Sequence, residues 1–308
     1  MKQVVLKSVF KVFLSVILLQ STLYGQSIDV EKSTADDKYK GFDFYFNCGM
    51  YMGNKFTANY YNGISNEYVS INRAVGNKYV KEAIENLILA NQNVILDADG
   101  VSLSEVDRNM RYNVSFVFGF GMLYHLNKNL ALTLSFGQTR LNALGGVTFT
   151  YNTGVAGNER PQILRYHLNG KELRNFFEIG VNYIIRTNPH VQPFFELAGQ
   201  LNSVKVQHAD LVVEDRRFTM MDMYAGQSYV PNSGLTEIAP VLGGAGGGIL
   251  GGMGIRIPFA YSIALEPVIQ VQYTYINLEV NNTKKMMPHY NLMVRLIVGD
   301  RIFSGNYE

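Results

Sequence analysis

Residues 42–52 read Phe42-Asp43-Phe44-Tyr45-Phe46-Asn47-Cys48-Gly49-Met50-Tyr51-Met52. Every even-numbered position is apolar, while the odd-numbered ones carry a carboxylate, an amide, a glycine and two tyrosines. Successive side chains of a β-strand point to opposite faces, so this stretch has one wholly apolar face and one mixed face that bears a charge. A strand that crosses a membrane needs roughly 9–11 residues, with lipid-facing and lumen-facing side chains in alternation.

The same period recurs in seven further stretches. In Met110 to Leu126, Tyr112, Val114, Phe116, Phe118, Phe120, Met122 and Tyr124 alternate with Arg111, Asn113, Ser115, Gly119, Gly121 and His125. Leu130, Leu132, Leu134 and Phe136 alternate with small and polar residues. Phe177, Ile179, Val181, Tyr183 and Ile185 oppose Arg174, Glu178, Gly180, Asn182 and Arg186. A weaker stretch sets Phe195, Leu197 and Leu201 against Glu196, Gln200 and Asn202. A glycine-rich one sets Ile249, Met253, Ile255 and Ile257 against Gly252, Gly254 and Arg256. The last two place Ile263, Leu265, Ile269, Val271, Tyr273 and Tyr275 opposite Glu266, Gln270 and Gln272, and Tyr290, Leu292, Val294, Leu296 and Val298 opposite Asn291 and Arg295. A half-buried soluble sandwich also alternates. Here the apolar faces are long, aromatic and almost free of charge, while isolated charges sit on the other faces. That inversion of burial suits a barrel in lipid with a polar interior. The 20 Tyr and 18 Phe, with no Trp, fit strands and a lipid–water boundary.

The connections alternate in length. Asn127-Lys128-Asn129, the segment Thr187 to His190 with Asn188-Pro189, and Pro258 to Tyr261 are short. Gly53 to Asn109, Asn142 to Leu173 and His208 to Gly246 are long, about 125 residues of external loop together. Short turns on one side and long loops on the other are the pattern of an outer-membrane barrel, with the short turns periplasmic. The expectation is an all-β, antiparallel, up-and-down transmembrane barrel over 42–308, with eight strands and both termini in the periplasm. Val147 to Tyr151 and Leu164 to Leu168 also alternate. They either extend two strands or add a pair, making ten.

The N-terminus reads as a secretory signal peptide over 1–25. Lys2, Lys7 and Lys11 are basic, Val12 to Leu19 is a short apolar core, and Ser21, Thr22 and Gly25 are small. A polar tail, 26–41, precedes the first strand. Without the three leader lysines the chain has 24 basic and 25 acidic residues, a net charge of −1. Such a balance argues against nucleic acid as a partner. The single cysteine, Cys48, excludes an intramolecular disulfide framework.

On the alternation over Phe42 to Phe303 the chain resembles the small eight-stranded outer-membrane barrels of the OmpA and OmpX type. The resemblance implies outer-membrane lipid as the surrounding medium. Ile302-Phe303 is similar to the terminal aromatic that assembly machinery recognises in such proteins, with Ser304 to Glu308 lying beyond it.

Ile238 to Ile255 lacks charge but contains eight glycines and Pro240, and glycine disfavours a helix by about 0.8–1 kcal/mol each, so it reads as a strand. In the first long loop, Val80, Ile84, Leu87 and Ile88 share one face and predict a helix over about 77–91. It forms either a lid on the barrel or a surface that docks a protein partner.

The expected lumen carries Asp43, Glu178, Glu196 and Glu266 with Arg111, Arg174, Arg256 and Arg295. In a lumen of about eight strands, filled by side chains, such charges form either a salt-bridged plug or a charged constriction in a narrow pore. Asp97-Ala98-Asp99-Gly100 fails the EF-hand spacing, because Ile95 stands where a carboxylate is needed, and reads as a solvated turn. His208 and Asp210, with Asp215 and Asp222 nearby, are the residues a rim hydrolase would use. No Gly-x-Ser-x-Gly, His-Glu-x-x-His or phosphate-loop motif appears. The expectation is a non-enzymatic barrel with no cofactor and no metal, a structural or accessory part of a surface or secretion assembly that acts through its long loops.

Overall fold

The computed structural model describes residues 40–64, 68–92, 96–153, 161–186, 188–238, 240–260, 262–278 and 285–299. The residues read as a signal peptide, nearly all of the N-terminal tail and Ile302-Phe303 lie outside the described residues.

Eight strands close a ring: β1 (Gly41–Met52), β4 (Ser115–His125), β5 (Leu130–Thr153), β6 (Gln162–Ile184), β7 (Gln192–Val213), β9 (Gly243–Ala260), β10 (Ile263–Asn277) and β11 (Met287–Gly299). Every pairing is antiparallel, and the circle is completed by β1 against β11 and β5 against β6. Three further strands lie outside it. β2 (Leu96–Val106) and β3 (Arg111–Tyr112) pair with the upper part of β5, and β8 (Arg216–Thr219) pairs with β7. The helices are α1 (Lys55–Ala58), a 3-10 turn (Asn59–Asn62), α2 (Ile71–Gly76) and α3 (Lys78–Gln92).

Polarity around the ring is inverted relative to a soluble protein. On β7, Leu201 is 65% exposed and its neighbour Asn202 only 4%. Phe42, Phe44, Phe46, Phe116, Phe118, Phe120, Ile179, Phe195, Met253, Ile269 and Leu292 all stand outward. Arg174, Glu178, Glu196, Arg256, Glu266 and Arg295 are buried inside. Cys48 lies on the apolar outer face.

Short connections occupy one end. In the β4–β5 turn the Asn127 carboxamide oxygen accepts from the backbone N–H of Asn129 and of Leu130, each at 2.9 Å, an Asx turn in place of a longer loop. The glycine-rich stretch is a strand. A side chain on the inward-facing Gly246 or Gly248 would meet a carbonyl of β10 at 1.9 or 2.2 Å. Glycine there lets β9 and β10 approach closely.

At the other end, one expected loop is largely strand. β5, β6 and β7 run on for 24, 23 and 22 residues, and β5 and β6 pair without interruption from Leu130–Tyr183 to Tyr151–Gln162. Most of Asn142 to Leu173 is therefore ladder, and the ring stays at eight. Above Phe136 the same parity stays inward, but the inward residues change from polar to apolar. Leu141, Ala143, Val147 and Phe149 point inward and are buried, while Arg140, Asn142 and Leu144 face out. The overhanging sheet β2-β5-β6-β7-β8 wraps an apolar core with Ala58, Tyr60, Tyr61, Ile71, Ala74, Ile84 and Ile88 of the helices. We call this assembly the cap. α3 lies where the periodicity placed it, with Ile84 and Ile88 buried. The ladder of β2 with β5 skips 97–100, where Gly100 is left-handed (φ 69°) and its N–H donates to Asp97 Oδ1 at 3.2 Å, so the turn read there is a bulge within β2.

Candidate functional site

The parity of each strand decides which charges enter the lumen. Odd residues of β1 and β11 and even residues of β6, β7, β9 and β10 face inward, which brings seven of the eight sequence-selected charges inside. Arg111 stands apart. It is exposed on β3, because the alternation breaks at Asn113-Val114, between β3 and β4.

Nearest the short turns, Asp43 Oδ2 lies 2.7 Å from His125 Nε2 and 3.3 Å from Arg256 Nη1. Arg256 Nε in turn donates to Glu266 Oε1 at 2.5 Å. Midway up, Arg295 Nη2 donates to Glu196 Oε2 at 2.7 Å, and its guanidinium sits 5.0 Å from the centre of the Tyr45 ring. Arg295 Nη1 is 4.0 Å from Glu266 Oε2, which links the two groups across β10 and β11. Glu178 accepts from Ser135 Oγ and from Gln200 Nε2, both at 2.7 Å. Two of the sequence-selected arginines, Arg256 and Arg295, thus meet sequence-selected carboxylates.

Arg174 meets a carboxylate that the sequence reading passed over. Its Nε donates to Glu172, two residues away on the same inner face of β6. The guanidinium also donates to Tyr51 Oη at 3.2 Å, Thr57 Oγ1 at 3.0 Å and Tyr112 Oη at 3.2 Å. Glu172 Oε2 accepts from Tyr61 Oη at 2.6 Å and Tyr112 Oη at 2.9 Å. Thr57 and Tyr61 belong to the helical segment above the barrel, so this cluster bolts the cap onto the mouth. Burial and the adjacent Glu172 carboxylate hold the Tyr61 phenol well above its ordinary range. It therefore serves as a hydrogen-bond donor at any physiological pH. Continuing the parity of Glu178 and Arg174 by one more step would have found Glu172.

A low-dielectric interior strengthens these pairs and makes an unpaired member costly. The arrangement is a stack of charge pairs inside the ring, joined to the cap at its upper end. Several inner polar atoms have no protein partner: both amide atoms of Asn182, both of Gln272, and one oxygen each of Glu196, Gln200 and Asn291. They trace a polar interior below the cap.

The hydrolase residues are not assembled. His208 is exposed on β7, Asp222 pairs with Arg73 at 3.2 Å, and Asp215 is exposed beside β8. Asp210 is 7% exposed, and burial raises its pKa against the pull of His208 and Arg217. Among the described residues no group of three or more His, Cys, Asp or Glu is placed to hold a metal ion.

No family model matches the chain, and no curated protein matches it. Among solved structures it is similar to neisserial surface protein A, at 13% identity and a TM-score of 0.35 over 84% of this chain and 96% of that one. It is similar to Ail of Yersinia pestis, solved with the heparin analogue sucrose octasulfate, at 9% identity and a TM-score of 0.33, covering 83% and 99%. It is also similar to the outer membrane protein OprG of Pseudomonas aeruginosa, at 12% identity and a TM-score of 0.34, covering 85% and 95%.

Proposed function

We propose that this chain is a non-enzymatic outer-membrane β-barrel that serves a surface or secretion assembly as a structural or accessory component. Both termini face the periplasm and the cap faces outward. The lipid environment follows from the inverted polarity. An outer face of Phe, Ile, Leu, Val and Met is unstable in water and stable in hydrocarbon, and a closed ring leaves no unpaired strand edge in the bilayer. The observation that carries the accessory role is the cap. A barrel whose only task is to staple the membrane needs no overhanging sheet, packed helices and bolted mouth.

The test is extraction from native outer membranes in mild detergent, followed by particle mass and composition. Stoichiometric co-purifying partners, lost when exposed cap positions are substituted, are the expected result. A lone barrel of about 32 kDa from every preparation would overturn the accessory role and leave the membrane reading intact.

The partnerless polar atoms below the cap favour one second reading, a narrow pore gated by the cap. Planar-bilayer recording separates the two. A filled lumen gives no steady conductance in the wild type. A unitary current that changes when Glu196 or Arg295 is neutralised would establish the pore.

A further inference from the structure

Just above the apolar belt, the outer face of β5, β6 and β7 is basic. Arg140 pairs across to Leu173, and Leu173 to Lys205. In the next row Asn142 pairs with Lys171, and Lys171 with His208. The inward parity of Thr139, Leu141, Glu172, Arg174, Val204 and Val206 sets all four basic side chains outward. Directly opposed residues have Cβ atoms about 5 Å apart, so Arg140, Lys171 and Lys205 lie within reach of one bound group. Carboxylates are missing from the outward positions 138–152 of β5, 163–175 of β6 and 203–208 of β7. The nearest on this side, Asp210, lies higher and is buried. None of the three cations forms an ion pair among the described residues.

The height of the patch identifies its partner. Arg140 is four residues above Phe136, and Lys205 four above Leu201, the last outward apolar residues of their strands before the polar stretch. For tilted strands that is about 10 Å beyond the hydrocarbon edge, the level of lipid headgroups. The patch is continuous with the lipid-facing belt, and Leu173 within it offers an apolar seat between the cations.

Resting on the outer-membrane reading above, we propose that Arg140, Lys171 and Lys205 form a docking site for the phosphate groups of lipids in the surrounding leaflet. One side of the barrel would then carry a held annulus of phosphorylated lipid, beneath the overhanging sheet.

The experiment reconstitutes the full chain and the variant R140Q/K171Q/K205Q into two kinds of vesicle. One is phosphatidylcholine alone, and the other adds a bisphosphorylated glycolipid. Lys128→Gln, exposed at the opposite end, is the control. Lipid retained per protein is counted by native mass measurement. The wild type and the control are expected to retain the phosphorylated glycolipid, and the triple variant about tenfold less. A dephosphorylated glycolipid should not be retained. Equal retention by wild type and triple variant would overturn the site. So would residue-dependent binding of soluble polyphosphate that matches or exceeds lipid retention, since the partner would then be a soluble polyanion. Heat-modifiable gel migration reports folding and insertion separately. Failure of every version to insert would remove the membrane reading itself, whereas insertion without selective retention removes only the lipid site.

Discussion

At the scale of single residues, the fold depends on buried charges that solvent does not reach and that must find their partners within the protein. Glu172 and Arg174 are both fully buried and share the hydroxyls of Tyr51, Tyr61, Tyr112 and Thr57. Arg174→Met leaves a buried carboxylate without its cation and should cost about 3–5 kcal/mol. Adding Glu172→Leu removes the orphaned charge, so the double variant should regain part of that loss. Urea unfolding in detergent micelles measures both, and a double variant less stable than Arg174→Met would contradict the pairing. Asp210 makes a different case. Its raised pKa means that the folded state binds the proton more tightly than the unfolded state does. This carboxyl therefore opposes folding increasingly as pH climbs from the ordinary aspartate value, 3.8, through the raised one. Asp210→Asn should raise amide protection at the β7–β8 corner at neutral pH and leave it unchanged in acid. Lower protection at neutral pH would count against this account of the burial.

At the scale of elements, the deciding property is which parity is apolar, and the chain changes it partway along a strand. On β5 the even positions are apolar up to Phe136, and the odd positions take over from Leu141. Below the switch the strand faces hydrocarbon, and above it the strand faces a water-exposed cap with its own core. The eight ring strands were legible because each keeps one period of two, even where Gly199 in β7 and Gly251 in β9 leave a gap in the apolar face. α3 was legible from Val80, Ile84, Leu87 and Ile88 for the same reason. The upper parts of β5 and β6 were legible only in Val147 to Tyr151 and Leu164 to Leu168, which extend the two strands as one of the alternatives had it, and the rest was not, because an inverted period with apolar residues inside resembles a loop. Glu172 was lost with it, and Arg111 was misplaced by carrying the period across the break at Asn113. β2 hides its period behind two irregularities in its pairing with β5. The cap being a separate core from the lumen has a direct consequence. Ile88→Asp puts a charge into the cap's centre, at a cost of about 3 kcal/mol or more. It should expose α3 to proteolysis while the barrel keeps its heat-modifiable migration. Loss of that migration as well would show that cap and barrel fold as one unit.

At the scale of the molecule, three layers follow one another along the barrel axis. The lowest is a ring with apolar residues outside and paired charges inside. A bolted mouth lies above it, and an overhanging cap with the opposite polarity forms the top. The membrane holds the first, water surrounds the last, and the Glu172–Arg174 cluster joins them. A nitroxide scan along β7 in lipid vesicles reads all three layers from one strand, with Cys48→Ser as background. The account expects labels at Phe195, Leu197 and Leu201 to collide with dissolved oxygen, as lipid-facing sites do. Labels at Ser203, Lys205 and His208 should collide with a water-soluble nickel chelate. Labels at Ala198 and Val204 should be sheltered from both. Water-soluble collisions at Phe195 to Leu201, or oxygen-dominated ones from Ser203 to His208, would contradict it.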